Sequence, residues 1–263
     1  MKRIVLIAAA ATLAGSSAFA ADLAFKAPAP VYYNWSGCYF GANGGGAWNS
    51  MNFTIANNDP AFFGPYFSSG ATPSTYGESA HGGIAGAQAG CNWQPTGSAY
   101  VIGLEADADW ANLKNTQTIN TNVATGPAAG SASGTASDTM QSIATIRGRV
   151  GYAFDRLLVY ATGGLALGNT NYFYSYSTTA LGGQNYLNSY SATRVGGTAG
   201  VGAEYAFTSI ISAKIEGLWY DLKGSQFQAG GLTPVTPAND VHVVTAGTDS
   251  GWMVRAGLNF KVW

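Results

Sequence analysis

Charge in this sequence is sorted by parity. Between Ile102 and Trp110 the even positions are Ile102, Leu104, Ala106, Ala108 and Trp110, while the odd positions carry Glu105, Asp107 and Asp109. Residues 144–154 repeat the pattern, with Ala144, Ile146, Val150, Tyr152 and Phe154 set against Thr145, Arg147 and Arg149. Three later segments do the same. Val201, Ala203, Tyr205 and Phe207 oppose Arg194, Thr198 and Glu204; Ala213, Ile215 and Trp219 oppose Lys214 and Glu216; Trp252, Val254, Leu258 and Phe260 oppose Arg255, Asn259 and Lys261. A period of two with every charge on one face describes β-strands whose other face meets an apolar medium.

That medium is either a protein core or lipid, and the aromatics separate the two. Trp48, Trp110, Trp219 and Trp252 lie on the apolar face at one end of their segments. Trp93, Phe154, Tyr205, Phe207 and Phe260 lie on the same face at the other end. Two aromatic belts one strand apart are what the two lipid–water interfaces select, whereas a soluble sandwich has no reason to sort tryptophan to its ends. Charged residues are only 10% of the chain, against about 25% in soluble domains. After residue 20 no apolar run approaches the roughly 20 residues of a membrane helix.

Eight alternating segments emerge, at 36–48, 82–93, 99–111, 140–154, 157–168, 192–207, 210–222 and 251–262. Gln94–Ser98, Asp155-Arg156 and Thr208-Ser209 are tight turns between them, while 49–81, 112–139, 169–191 and 223–250 read as long polar loops. Short turns at one end and long loops at the other predict an all-β fold: an eight-stranded antiparallel up-and-down transmembrane β-barrel with periplasmic turns and four extracellular loops. Residues 1–20 read as a signal peptide, with Lys2 and Arg3, an apolar stretch and Ala18-Phe19-Ala20 before the cut. Residues 21–34, with Pro28 and Pro30, read as an extended periplasmic leader, and 35–263 as the barrel. The predicted mature chain has more acids than bases, which argues against a nucleic-acid partner.

Four blocks carry a family likeness: "NWSGCYFGANGGGAW" (34–48), "GLEADADW" (103–110), "TIRGRVGYAFDRLLVYATGGLALG" (145–168) and "VGAEYAFTSIISAKIEGLWYDL" (201–222), followed by "VRAGLNFKVW". Together they resemble the alphaproteobacterial small outer-membrane barrel proteins. These are opacity-porin-like relatives of the OmpA transmembrane domain and include surface antigens and hemin-binding proteins. The resemblance implies an outer-membrane location, lipid as the surrounding partner, and Trp263 as the terminal aromatic read by the barrel-assembly machinery. Lys261 stands where the usual signal has an aromatic, with Phe260 one earlier. The resemblance also makes heme a candidate ligand, through His81, His242, Tyr66 or Tyr76.

Little else suggests chemistry. Pairing Cys38 with Cys91 also matches Phe40 with Ala89 and Ala42 with Ala87, which puts a disulfide within reach; two separate lipid-facing thiols are the alternative. Ser79-Ala80-His81 is the one local nucleophile candidate, and Asp107 and Asp109 with His242 could mimic the acid and base of a surface protease. Alternate side chains on a strand stand about 6.8 Å apart, so Glu105, Asp107 and Asp109 do not chelate one ion by themselves. The stretch is expected to be half of an interior charge network of Glu105, Asp107, Asp109, Arg147, Arg149, Glu204, Lys214, Glu216 and Arg255, with Arg194 a further inward cation. The function expected is a non-enzymatic barrel, porin-like with a narrow or plugged interior. A surface receptor or adhesin, binding through loops such as "PAFFGPYF" (60–67), is the alternative.

Overall fold

A computed structural model describes residues 33–57, 75–123, 130–179, 183–230 and 241–262. The described chain is strand and turn throughout: β1 (Gly37–Asn57), β2 (Thr75–Trp93), β3 (Tyr100–Val123), β4 (Gly130–Phe154), β5 (Leu157–Thr178), β6 (Gln184–Ala206), β7 (Ile211–Leu222), β8 (Ser225–Gly230) and β9 (Val241–Lys261). Each long strand pairs antiparallel with the next, β7 pairs with β9, and β9 returns to β1. These eight close a ring, which removes every free edge at membrane level. The short β8 pairs only with the far end of β9.

Closure follows from the sequence pattern. Even residues of β3 and β4 below Trp110 and Ser142 face outward, and they are apolar and exposed: Leu104 at 68%, Ile146 at 61%. Phe40 to Trp48 and Trp252 to Phe260 each run nine residues between aromatics, and Ile211 to Trp219 spans the same nine, close to the 9–11 a tilted strand needs to cross. The turns lie below this band. At Asp155 the backbone is left-handed (φ 53°), a conformation that Asp tolerates in tight turns.

Above the band the structure corrects the reading of 49–81, 112–139, 169–191 and 223–250 as loops. Much of each is strand, with β3 running to Val123 and β4 starting at Gly130. On β4 a bulge interrupts the parity signal there, while β3 and β5 keep their parity but lose the apolar outer face. Register shifts lie between Met51 and Phe53, between Trp110 and Leu113, and between Met140 and Ser142. In β4 the bulge at Gln141 flips the pattern, so Ile143 faces in below it while Asp138 and Met140 face in above it. A bulge that re-aims side chains in this way is a common device at barrel rims. Outward residues also change character, from Leu104 and Ala106 below to Asn112, Lys114, Thr116 and Thr118 above.

Candidate functional site

The interior is stacked in layers. At the periplasmic end the segment before β1 folds across the mouth. Trp35 is buried against Val101, Ala153, Leu158, Tyr160 and Ala206. Its indole Nε1–H donates to the Asp155 carbonyl at 2.9 Å, and its backbone N–H donates to Gln94 Oε1 at 2.8 Å. Tyr33 N–H donates to Asp155 Oδ1, and Lys261 Nζ donates to the Asn34 carbonyl at 2.6 Å. Burial raises the Tyr33 phenol, with the Glu204 charge adding to it, and burial lowers the Lys261 ammonium.

Above this cap lie the charged residues, all from inward positions of β3, β4, β6, β7 and β9. Arg147 Nη2 contacts Glu105 Oε1 at 2.6 Å and Asp107 Oδ2 at 2.8 Å, and its Nη1 reaches Glu216 Oε2 at 3.2 Å. Arg255 bonds Asp107 at 2.8 Å, Asp109 at 2.5 Å and Glu216 at 2.6 Å. Lys214 joins Glu105 at 2.7 Å to Glu216 at 3.3 Å. Arg149 joins Glu204 at 3.1 Å to Glu105 at 3.5 Å, and its guanidinium lies over the rings of Tyr39 and Tyr160. All nine charged side chains are almost wholly sealed from water. Each is tolerated because it faces opposite charge and fixed donors.

Register explains who meets whom. Glu105 stands opposite Arg147, but Asp107 stands opposite Thr145 and Arg149 opposite Gly103. Asp107 therefore takes its charge partners from Arg147 and from Arg255, across the lumen. Asp109, furthest from the arginines of β4, is met by Arg255 from β9. Neutral members complete the layer: Tyr39 donates to Glu105 at 2.6 Å, Tyr160 to Glu216 at 3.1 Å, and Asn92 accepts from Arg149 at 2.8 Å. Sequence reading did not single these out, although inward parity on β1, β2 and β5 would have found them.

A second apolar layer covers the charges on the outer side: Ala47, Ala80, Ile84, Leu113, Met140, Ile143, Ala166, Leu218, Tyr220, Leu222 and Met253. Arg194 lies beyond it and is not part of the network; its parity was legible but its height was not. There it donates to the carbonyls of Lys223 at 2.6 Å and Leu222 at 3.4 Å, to the Gly247 carbonyl, and to Tyr172 Oη at 3.0 Å. It stands 3.8 Å from Asp249 Oδ2. Asn49 Nδ2 donates to Asp249 Oδ1 at 3.0 Å. Asp249, three residues past Trp252, is pushed up to about 6 by burial, against the opposing pull of Arg194 and Asn49. Buried Tyr174, Tyr176 and Tyr186 continue the inward face above, with ring centroids 6.5 and 6.1 Å apart.

The remaining candidates fall as follows. Cys38 and Cys91 are disulfide-bonded between β1 and β2, with Cα atoms 4.0 Å apart. Trp48, Trp93, Trp110, Phe154, Tyr205, Phe207, Trp219, Trp252 and Phe260 are exposed on the outer wall. His81 is on β2, exposed and opposite Trp48, so it faces away from the interior. His242 pairs with Asn57 and Ala229 near the far end of β9, well beyond the apolar layer that covers Asp107 and Asp109. Tyr76 lies on β2, opposite Phe53. Tyr66, residues 60–67 and Trp263 lie outside the described residues. Among the described residues no three His, Cys, Asp or Glu side chains converge to hold a metal.

A closed ring with an apolar, aromatic-belted exterior and charges turned inward defines an integral β-barrel of the outer membrane. The "Outer membrane protein beta-barrel domain" family matches residues 7–233, and the chain belongs to that family. It is 32% identical over 229 residues to the 31 kDa outer-membrane immunogenic protein of Brucella melitensis, covering 84% of this chain and 88% of that one. The Brucella suis protein of the same name matches equally. Among solved structures, the Escherichia coli outer membrane protease OmpT overlays at a TM-score of 0.43 with 9% identity, covering 88% of this chain and 98% of that one. Neisserial surface protein A overlays at 0.33 with 13% identity, covering 86% and 97%. Likenesses this loose carry no argument about chemistry.

Proposed function

We propose that this chain is a non-enzymatic, non-conducting outer-membrane barrel that anchors and displays an extracellular β-structure at the cell surface. The observation that carries the reading is the layering: a charged layer sealed by Trp35 and its neighbours below and by Leu113, Met140, Leu218 and Met253 above. An ion crossing this interior would have to part packed apolar side chains as well as break buried ion pairs, each of which is costly. What the barrel holds up is the surface above the belts, rich in Ser, Thr and Asn, and the Brucella relatives are named as immunogenic.

The test is conductance of the purified, folded protein in planar bilayers. A silent membrane is the expected result. Steady channels whose ion selectivity shifts on Glu105→Gln would contradict the reading and restore a pore. The receptor or adhesin reading draws on one feature, the tyrosine-lined interior of the outer extension at Tyr172, Tyr174, Tyr176 and Tyr186. It predicts that a partner captured by the folded protein is lost when β5 and β6 are shortened to end near Asn169 and Thr193.

A further inference from the structure

The charged layer holds five carboxylates, Glu105, Asp107, Asp109, Glu204 and Glu216, against four cations, Arg147, Arg149, Lys214 and Arg255, all nearly sealed from water. An unbalanced charge in such surroundings is unfavourable, and neighbouring carboxylates that share a cation do not all ionise readily. Asp107 and Asp109 share one: Arg255 Nη1 donates to Asp107 Oδ1 at 2.9 Å and to Asp109 Oδ2 at 2.5 Å. Asp107 has Arg147 and Thr145 besides, whereas Asp109 has no second cation among the described residues.

A row of amides shows where a proton belongs. Glu204 pairs with Arg149 at 3.1 Å, and its Oε1 accepts from Ser212 Oγ at 2.5 Å and from Asn259 Nδ2 at 2.8 Å. Because a carboxylate only accepts, Asn259 must turn its Nδ2 toward Glu204 and its Oδ1 away. Asn259 Oδ1 then accepts from Gln88 Nε2 at 2.6 Å, and Gln88 Oε1 accepts from Asn43 Nδ2 at 3.3 Å. The direction set at Glu204 is thus passed along the row, and it ends with Asn43 Oδ1, a buried acceptor that receives no hydrogen bond. Asp109 Oδ1 is likewise buried and receives none. The two residues flank one glycine: Asn43 pairs with Gly86, and Gly86 pairs with Asp109. Asp109 Oδ1 occupies the space a Cβ on Gly86 would need. Two buried acceptors without a donor, on side chains that flank Gly86, and one surplus negative charge are all met by a single proton.

We propose that Asp109 is a proton-binding site: a neutral carboxylic acid whose Oδ1–H donates to Asn43 Oδ1 while its Oδ2 accepts from Arg255. The proton leaves the layer neutral, four carboxylates against four cations. The inference rests on the sealed interior proposed above, since a water-filled lumen would hydrate and ionise the group. A water bridging the two oxygens is the rival arrangement, and it leaves Asp109 charged.

The test is infrared spectroscopy of the folded, full-length protein in lipid at neutral pH. A carboxylic-acid carbonyl band is expected, shifted by carbon-13 labelling of aspartate but not of glutamate, and lost in Asp109→Asn. Asparagine reproduces the neutral acid, with an amide hydrogen for Asn43 and an oxygen for Arg255. Asp109→Asn should therefore unfold at the wild-type denaturant midpoint or above it. Asp107→Asn should lower the folded-to-unfolded ratio by roughly a hundredfold or more. Absence of the band, its survival in Asp109→Asn, or equal destabilisation by the two variants overturns the assignment. A silent bilayer without the band refutes the proton alone, whereas a conducting barrel refutes the sealed interior, so the two failures are distinguishable.

Discussion

The charges inside the membrane band and those in the extension above it are held differently. Below Trp252, Arg147 and Arg255 each bridge three carboxylates at 2.5–3.2 Å. Above it, Arg194 and Asp249 stand 3.8 Å apart, and Arg194 spends its donors on carbonyls and on Tyr172. Asp249 Oδ2, Asn49 Oδ1 and Tyr220 Oη are buried there without hydrogen bonds, as are Asn43 Oδ1, Asp109 Oδ1 and Arg149 Nη1 within the band, so the difference lies in the ion pairs. Where lipid surrounds the wall, an uncompensated interior charge has no route to water. Where water surrounds it, strand ends can open locally, so loose pairing is tolerated. The embedded half is therefore the rigid part, and the extension is the part that can respond to its surroundings.

The largest effect that tests this contrast is Arg147→Met. It strands Glu105, Asp107 and Glu216 beside one fewer cation and should cost about 3–5 kcal/mol, read as a lower denaturant midpoint for the folded barrel. Arg194→Met should cost clearly less, and an equal loss would erase the difference between the two halves. Next comes the Cys38–Cys91 bond, which closes a separation of 53 residues. Its loss in Cys38→Ser/Cys91→Ser should cost up to about 4 kcal/mol on loop-closure grounds, measured in the same unfolding assay.

The third effect is a pH dependence that arises in the extension. Asp249 titrates near 6 in the folded protein, about two units above an ordinary Asp. Between about pH 4 and pH 6 the folded state keeps a proton that the unfolded chain has released. Through Asp249 stability should therefore fall as pH rises through that window, by roughly 3 kcal/mol at most, and a proton held by Asp109 adds a fall that continues above it. Asp249→Asn should remove the Asp249 share, leaving the slope above about pH 6; an unchanged slope between about pH 4 and pH 6 would assign it to another group. Smallest of all, Lys114→Ala on the water-facing side of β3 should change stability by no more than about 0.5 kcal/mol.

How far the sequence could be read follows the same boundary. Within the band, parity is unbroken, so Glu105 facing Arg147, the Cys38–Cys91 rung and the inward set on β7 and β9 were all within reach of counting by twos. Parity does not carry height across the barrel. Arg194 shares the inward face with Glu204 yet lies above the apolar layer, and Asp109 finds Arg255 on a strand that is distant in sequence. Beyond the band, the bulge at Gln141 shifts the count by one. On β5 the parity is unbroken, and the alternation "YFYSYS" puts Tyr172, Tyr174 and Tyr176 inside against an outer face of Phe173 and serines, with no lipid to demand apolar residues outside. A strand with polar residues on both faces reads as loop, which is how the extension reads in the sequence.

The central claim is that one continuous wall changes solvent at Trp110. Spin labels at single cysteines introduced along the outward face of β3, at 104, 106, 108, 112, 114, 116 and 118, test it most directly, because Cys38 and Cys91 are already bonded to each other. Labels at 104, 106 and 108 should relax with oxygen and be shielded from a water-soluble nickel chelate, while those at 112 to 118 should show the reverse. Nickel access at 104 or 106, or oxygen-dominated relaxation continuing to 118, would contradict it.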